Sequence, residues 1–223
     1  MREIVLDTET TGFDPQQGHR VVEIGCLELV NHVPTGKTYH VYINPERDMP
    51  AEAFAVHGLG DDFLRGQPLF ADIVEGLVEF LGDDAPIIAH NAEFDMRFVN
   101  YELAKCGLAK LPMTRAIDTV MMARSKFPGA PASLDALCKR FNIDNASRTL
   151  HGALLDAQLL AEVYLELIGG RQPDLMLAEA AEDAALAAIE IVHRVARAHT
   201  ASEAELAAHA EFLKKVTNPI WLR

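Results

Sequence analysis

The stretch from Arg2 to Gly12, REIVLDTETTG, constrains this chain more than any other. Ile4, Val5 and Leu6 are three consecutive apolar residues, the pattern of a short strand buried on both faces. The run leads straight into Asp7 and Glu9. Residues i and i+2 of a strand project from the same face, so this spacing sets two carboxylates side by side at the end of a central strand. Two like charges that close raise one another's pKa unless a cation lies between them. Taken alone, an Asp-x-Glu ahead of Thr10-Thr11-Gly12 is most simply a solvated strand end entering a turn. The acids found later in the chain change that balance.

With 223 residues, 49% of them hydrophobic, the chain has enough apolar material for one medium domain with a tail or for two small ones. No apolar run approaches the ~20 residues of a membrane span, and the first strand begins with no basic and apolar leader ahead of it. Cys26, Cys106 and Cys138 are far apart and odd in number. They suit a reducing compartment and argue against a disulfide framework and a thiolate zinc site. The expectation is a soluble, cytoplasmic protein with no membrane association. The net charge of −13 opposes phosphate binding through Lys and Arg alone, and neither residues 1–170 nor residues 171–223 are basic overall. A phosphate-bearing ligand has to be met through bound cations and a local basic patch.

Arg20–Val30 and Lys37–Asn44 are apolar-rich and flank turn formers at Asn31–Gly36, which predicts a hairpin. A loop with a helical turn near Ala51–Phe54 follows. Helical spacing predicts a helix over Phe70–Leu81, a short buried strand over Pro86–His90, and a helix over Glu93–Cys106 capped by Asn91. Ala116–Asp118 forms another short strand, with a helix from Thr119 to about Ser125. Ser133 is placed to cap Leu134–Phe141. The pattern from Thr149 to Leu167 is strongly helical and ends at Gly169-Gly170, the expected domain boundary. Three early strands followed by alternating helices and strands indicate an α/β domain, residues 1–170, with a mixed sheet. Residues 171–223 form a helical C-terminal tail, with segments near Ala178–Ala198 and Ser202–Val216, and no core of their own.

Two further segments carry acids beside apolar runs. Asp95, in His90-Asn91-Ala92-Glu93-Phe94-Asp95, falls in the first turn of a helix, where the dipole favours a carboxylate. His151 and Asp156 are five residues apart. At ~100° per residue they diverge by some ~140° on a regular helix, so they share a face only if His151 precedes it, which Gly152 permits. Asp7, Glu9, Asp95 and Asp156 together are four acids with apolar neighbours, and clustered acids require divalent metal. Oxygen-only ligands select Mg²⁺ or Mn²⁺ over zinc. Two such ions ~3.5–4 Å apart clamp the attacking and leaving oxygens of a phosphoryl displacement. His151, titrating near neutrality, is then the general base toward the attacking water.

Asp-x-Glu, the His-Asn-Ala-x-Phe-Asp box and His-x4-Asp, in that order, resemble the DEDDh class of 3′→5′ exonucleases. The class has a ribonuclease-H-like fold with a five-stranded mixed sheet flanked by helices. The segments Val5–Gly12, Glu52–Leu59, Ser133–Cys138 and Arg148–Gln158 are similar to those of the epsilon, or proofreading, subunits of bacterial DNA polymerase III. That resemblance implies roles. Asp7, Glu9 and Asp156 would ligate one metal ion, with Asp7 bridging to a second whose waters Asp95 would hold, and His151 would be the base. Glu52 would accept from the terminal 3′-hydroxyl. Val56, His57 and Phe94 would pack against the last bases, and Thr10 and Thr11 would offer hydroxyl or backbone N–H contacts. A single-stranded 3′ end of DNA is the implied substrate, and a mismatched terminus frays more cheaply than a matched one. Arg124, Lys126, Lys139, Arg140 and Arg148 come closest to a basic patch.

The tail resembles the family's as well. Gln172-Pro173-Asp174-Leu175-Met176-Leu177 is similar to a sliding-clamp-binding peptide. The terminus Asn218–Arg223 carries the single Trp, Trp221, a residue type enriched in binding hot spots. In the family this segment docks on the polymerase alpha subunit. The other reading of the same chemistry is a stand-alone 3′→5′ exonuclease for RNA or short oligonucleotides. The apolar, Trp-ended tail argues against it.

Overall fold

The structure is a computed structural model that describes residues 1–146, 150–169 and 200–217. The chain divides into two compact units, residues 1–174 and 175–223. In the first, the strands are β1 (Arg2–Thr10), β2 (Val21–Val30), β3 (Val33–Tyr42), β4 (Ile87–Ala89) and β5 (Ala116–Asp118). They form one sheet in the order β3-β2-β1-β4-β5. The β1–β2 and β2–β3 pairs are antiparallel, whereas β1–β4 and β4–β5 are parallel. The helices are α1 (Ala51–His57), α2 (Asp61–Leu64), α3 (Phe70–Leu81), α4 (Ala92–Lys105), α5 (Thr119–Lys126), α6 (Leu134–Phe141) and α7 (Ala153–Ile168). This is the expected mixed, five-stranded α/β domain.

β1 is central, and Ile4, Val5 and Leu6 are fully buried. Because side chains alternate along a strand, Ile4 and Leu6 enter one core with Leu77 of α3 and Met96 and Phe98 of α4. Val5 enters the other, with Leu137 of α6 and Leu160 and Val163 of α7. The helices thus cover both faces of the sheet.

The hairpin turn is tighter than the sequence suggested. It consists of Asn31 and His32 alone, both in the left-handed region at φ 51° and 68°, and β3 starts at Val33 instead of Lys37. Two-residue turns with both φ positive match the twist of the flanking strands, and Asn tolerates that conformation. Glu3, fully buried beneath the turn, fixes it. Its Oε2 lies 2.8 Å from His32 Nδ1 and accepts from the His32 N–H, while Tyr164 of α7 donates to Oε1 at 2.9 Å. Ala51–His57 is a full helix, longer than the turn expected there. Phe70–Leu81 and Leu134–Phe141 form as anticipated, the second capped by Ser133 accepting from the Ala136 N–H.

In the second unit, α8 (Glu203–Leu213) is capped by Ser202 and Glu205 in a reciprocal pair of hydrogen bonds. The expected helix near Ala178–Ala198, the clamp-like segment 172–177 and the terminus 218–223 lie outside the described residues. Among the described residues, no helix is long and apolar enough to cross a membrane.

Candidate active site

The site lies where parallel pairing stops. β1 pairs with β4 only at Ile4–Ile87 and Val5–Ile88. β4 ends at Ala89, Asn91 turns the backbone through φ 74°, and α4 begins at Ala92. Asp7 to Thr10 pair with β2 alone, and a crevice opens at the carboxyl ends of the parallel strands, the usual place for a ligand in such sheets. Asp7 and Glu9 share the face of Val5, toward α7. Thr8 lies on the opposite face, toward α4.

α7 supplies the third acid. Its N-cap, Gly152, is extended (φ −155°, ψ 124°), so His151 stands outside the helix. The His151 N–H donates to the Val56 carbonyl at 3.1 Å, tying this entry to α1. The imidazole therefore folds back on the first turn, with Nδ1 3.2 Å from Asp156 Oδ2. Glu9, His151 and Asp156 each bring a ligand atom to within 4.8 Å of the other two. Glu9 and Asp156 are buried, Asp7 is half-buried and His151 is exposed. Gly25, the partner of Asp7 across the β1–β2 ladder, makes this approach possible: a Cβ there would lie 2.3 Å from the Ala153 carbonyl carbon and the Leu154 nitrogen.

Asp95 comes from the other side of the strand. Thr8 Oγ1 donates to its Oδ1 at 2.7 Å, in the interior. Burial pushes the Asp95 carboxyl up to about 7, against the pull of the Thr8 hydroxyl and the Asp95 and Thr8 backbone amides, while Asp118 pushes in the same direction as burial. The helix dipole alone, suggested by its first-turn position, thus describes Asp95 poorly; a buried carboxyl held by Thr8 describes it better. Asn91 caps α4 without a side-chain bond, because its left-handed backbone turns its N–H instead to Asp118 Oδ1 at 3.2 Å.

Beside Glu9 is a cleft of about 240 Å³, lined by Thr8 to Phe13, His19, Pro50, Glu52, Ala53, Val56, His57 and Phe94. Of the residues expected to contact substrate, Glu9, Thr10, Thr11, Glu52, Val56, His57 and Phe94 line it, whereas Asp7 and Asp156, expected there too, are not among its lining residues. Glu52 and Val56 are on the exposed side of α1, and Phe94 is half-buried with its ring 5.0 Å from that of Phe98. His57 is buried, and burial, aided by His151, holds its imidazole below the ordinary value while the Thr10 backbone pulls the other way. The Leu59 N–H donates to Nδ1 at 3.1 Å, so neutral His57 carries its proton on Nε2. The Thr10 hydroxyl donates to the Gly12 carbonyl at 2.6 Å, and Thr11 Oγ1 accepts from the Arg20 N–H and lies 3.1 Å from His19 Nδ1. Both hydroxyls hold the turn that forms one wall.

Thr8, His19, Phe13 and Gly25 were not singled out by sequence. The motif letters around Thr8 hide that it alternates to the far face, where it meets Asp95. Phe13, 83% exposed at the lip of the cleft, has only its position after Gly12 as a signal. Lys126 Nζ donates to the Glu166 and Leu167 carbonyls at the end of α7, and the Arg140 guanidinium stacks 4.4 Å above the Phe127 ring. Arg148 lies outside the described residues.

Glu9 and Asp156 are buried carboxylates brought together beside His151, and Asp7 projects from the same face of β1 as Glu9; oxygen donors of this kind fit a hard divalent cation. The comparisons agree with this chemistry. The family model described as Exonuclease (RNase_T) matches residues 4–164. DNA polymerase III subunit epsilon of Rickettsia felis is 50% identical over 97% of both chains. The subunit of the same name from Escherichia coli K12 is 44% identical over 93% of this chain and 90% of its own. The chain belongs to the epsilon family. Its fold is also that of exonuclease X in complex with 5′ overhanging duplex DNA (TM-score 0.58, 24% identity, 74% of this chain and 90% of the other). The nuclease domain of 3′hExo, a DEDDh family member bound to rAMP, is similar in fold (TM-score 0.63, 17% identity, 75% and 91%). As an epsilon-family member with an exonuclease domain, the chain is a metal-dependent 3′→5′ exonuclease.

Proposed function

We propose that this epsilon-family chain proofreads newly made DNA for a bacterial replicative polymerase III, removing nucleotides from a single-stranded 3′ end. The observation that carries the residue roles is the meeting of Glu9, His151 and Asp156 within 4.8 Å, beside a cleft that can receive a terminal nucleotide. Asp7, Glu9 and Asp156 would hold one divalent ion, Asp7 would also serve a second, and Asp95 would orient water around it. Mg²⁺ or Mn²⁺ suits these donors, and when bound the two ions offset charge on the attacking and leaving oxygens.

The chain's own groups do the rest. With Nδ1–H directed at Asp156 Oδ2, His151 keeps the lone pair on Nε2, which takes the proton of the attacking water. Glu52 accepts from the 3′-hydroxyl and so selects a chain end. Val56, His57 and Phe94 pack on the last bases without reading sequence. His57, held neutral by burial, adds no charge there. Residues 1–170 form the nuclease and residues 171–223 the attachment to the polymerase alpha subunit. Residues 172–177 dock on a sliding clamp, and the complex works in the cytoplasm.

Two 5′-labelled single strands of one sequence, DNA and RNA, incubated with Mg²⁺ and either this protein or its Asp7→Ala variant, test the reading. Stepwise shortening of the DNA from its 3′ end, slower on RNA and absent with the variant, is expected. Faster loss of RNA would transfer the enzyme to the stand-alone RNA or oligonucleotide reading. Deletion of residues 171–223 is expected to abolish capture of the alpha subunit while sparing cleavage of free strands.

A further inference from the structure

We propose that the 5′ part of the substrate strand leaves the catalytic cleft along the groove between the start of α4 and the α5–α6 connection, with the Arg124 guanidinium on one of its phosphates. This rests on the exonuclease reading above. A strand whose 3′ end occupies the cleft must continue beyond the scissile phosphate, and the cleft, about 240 Å³, is small. A larger groove of about 800 Å³ is also built on the start of α4, with His90, Asn91, Glu93, Asp118, Arg124 and Pro131 among its lining residues. Consecutive residues of α4 line the two, Phe94 the cleft and Glu93 the groove, in the turn that carries Asp95.

The charge on the groove wall favours a phosphate at Arg124. On a chain of net charge −13, Lys126 is engaged by the α7 carbonyls and Arg140 by the Phe127 ring. Arg124 is exposed and makes no ion pair among the described residues. The Asp118 carboxylate is turned to the backbone: its Oδ1 accepts from the N–H groups of Asn91, Val120 and Met121. Glu93, the groove's other acid, precedes Phe94 on α4 and repels a phosphate toward the Arg124 wall. Met121, 62% exposed, and Pro131 provide apolar ground on which bases can lie. A guanidinium presents paired donors to phosphate oxygens and is indifferent to base identity, as a proofreader requires.

Steady-state kinetics of the full chain with Mg²⁺ on a thymidine dinucleotide and a thymidine octanucleotide test the proposal. The dinucleotide has no phosphate beyond the scissile one. For the octanucleotide, Arg124→Ala is expected to raise KM about three- to tenfold with kcat unchanged, the size of one exposed charge-assisted contact. The slope of log KM against log salt should become shallower by about 0.7. The dinucleotide should be unaffected, and Arg124→Lys should recover most of the loss. A methylphosphonate at one linkage upstream of the scissile one should then weaken the unaltered protein but not Arg124→Ala. An unchanged octanucleotide KM and salt slope would overturn the proposal and leave the groove to a protein partner. Equal losses on both substrates would overturn it too, because Arg124 would then act through the fold. Failure of the unaltered protein to shorten either substrate refutes the exonuclease reading itself, and the proposal with it.

Discussion

Gly25→Ala is the sharpest test of how the site is assembled. Gly25 stands opposite Asp7 in the β1–β2 ladder, and the start of α7 lies directly on it. A methyl group there would sit 2.3 Å from the Ala153 carbonyl carbon and the Leu154 nitrogen, where ordinary contact begins at 3.4 Å. Both neighbours are backbone, so no side chain can rotate away and α7 must retreat by about 1 Å. Overpacking of this kind costs about 1–3 kcal/mol, a fall of about 2–10 °C in Tm for a domain of this size. The loss of activity should be larger in proportion. His151 and Asp156 flank the displaced residues, while Asp7 and Glu9 stay on β1, and a misplacement of about 1 Å costs on the order of 10²-fold in rate. Thermal melting, together with the rate of shortening of a labelled single strand in saturating Mg²⁺, measures both. Gly66→Ala, where the added atom would lie 3.8 Å from the Phe63 carbonyl oxygen, serves as the control. A Gly25→Ala protein with full activity and unchanged Tm would refute the argument that this contact positions the metal-binding acids.

His151→Ala should lower kcat by about 10²- to 10⁴-fold while leaving Mn²⁺ binding, followed by electron paramagnetic resonance, and strand binding largely intact; parallel loss of all three would remove it as the base. The Asp95 carboxyl, pushed up to about 7 by burial, keeps its proton in the folded chain across a range where the unfolded chain has released it. In a chelator the protein should therefore lose stability as pH rises from about 4 to about 7. Asp95→Asn should flatten that slope, and identical Tm–pH curves for the two proteins would contradict the assignment. Arg20 grips the buried Glu102 with two bonds of 2.6 and 2.9 Å. Arg20→Ala strands that carboxylate and should cost about 3–5 kcal/mol in urea unfolding, and Arg20→Met/Glu102→Gln together should cost less than the single change.

What the sequence disclosed was set by how local the cause is. Ile4–Leu6 announced a strand buried on both faces because three apolar residues in a row allow little else. Phe70–Leu81 and Leu134–Phe141 carried their period and caps within themselves. Gly152 and the five-residue spacing allowed His151 to precede its helix, but the helical pattern read from Thr149 put it inside, whereas α7 starts at Ala153. The causes that were hidden are distant in sequence. The bond between Thr8 and Asp95 joins opposite sides of a strand, and nothing within the Thr-x-Thr run distinguishes one threonine from the other. Gly25 sits in an ordinary strand pattern, and its need to be glycine comes from a helix more than a hundred residues later. The length of the hairpin turn was misjudged because Gly36 drew the boundary toward itself, whereas Asn31 and His32 take the strained conformation over the buried Glu3.

The division of the proposed metal-binding acids between β1 and α7 has a consequence for a chain still being made. Asp7 and Glu9 leave the ribosome first, and His151 and Asp156 follow after about 7–30 s at ordinary rates of synthesis. Until then the growing polypeptide has half of its cation cage and no base. Fragments from stalled translation, and proteolytic pieces that end before α7, are equally harmless to DNA. With these roles, cutting waits until α7, Ala153–Ile168, has been made.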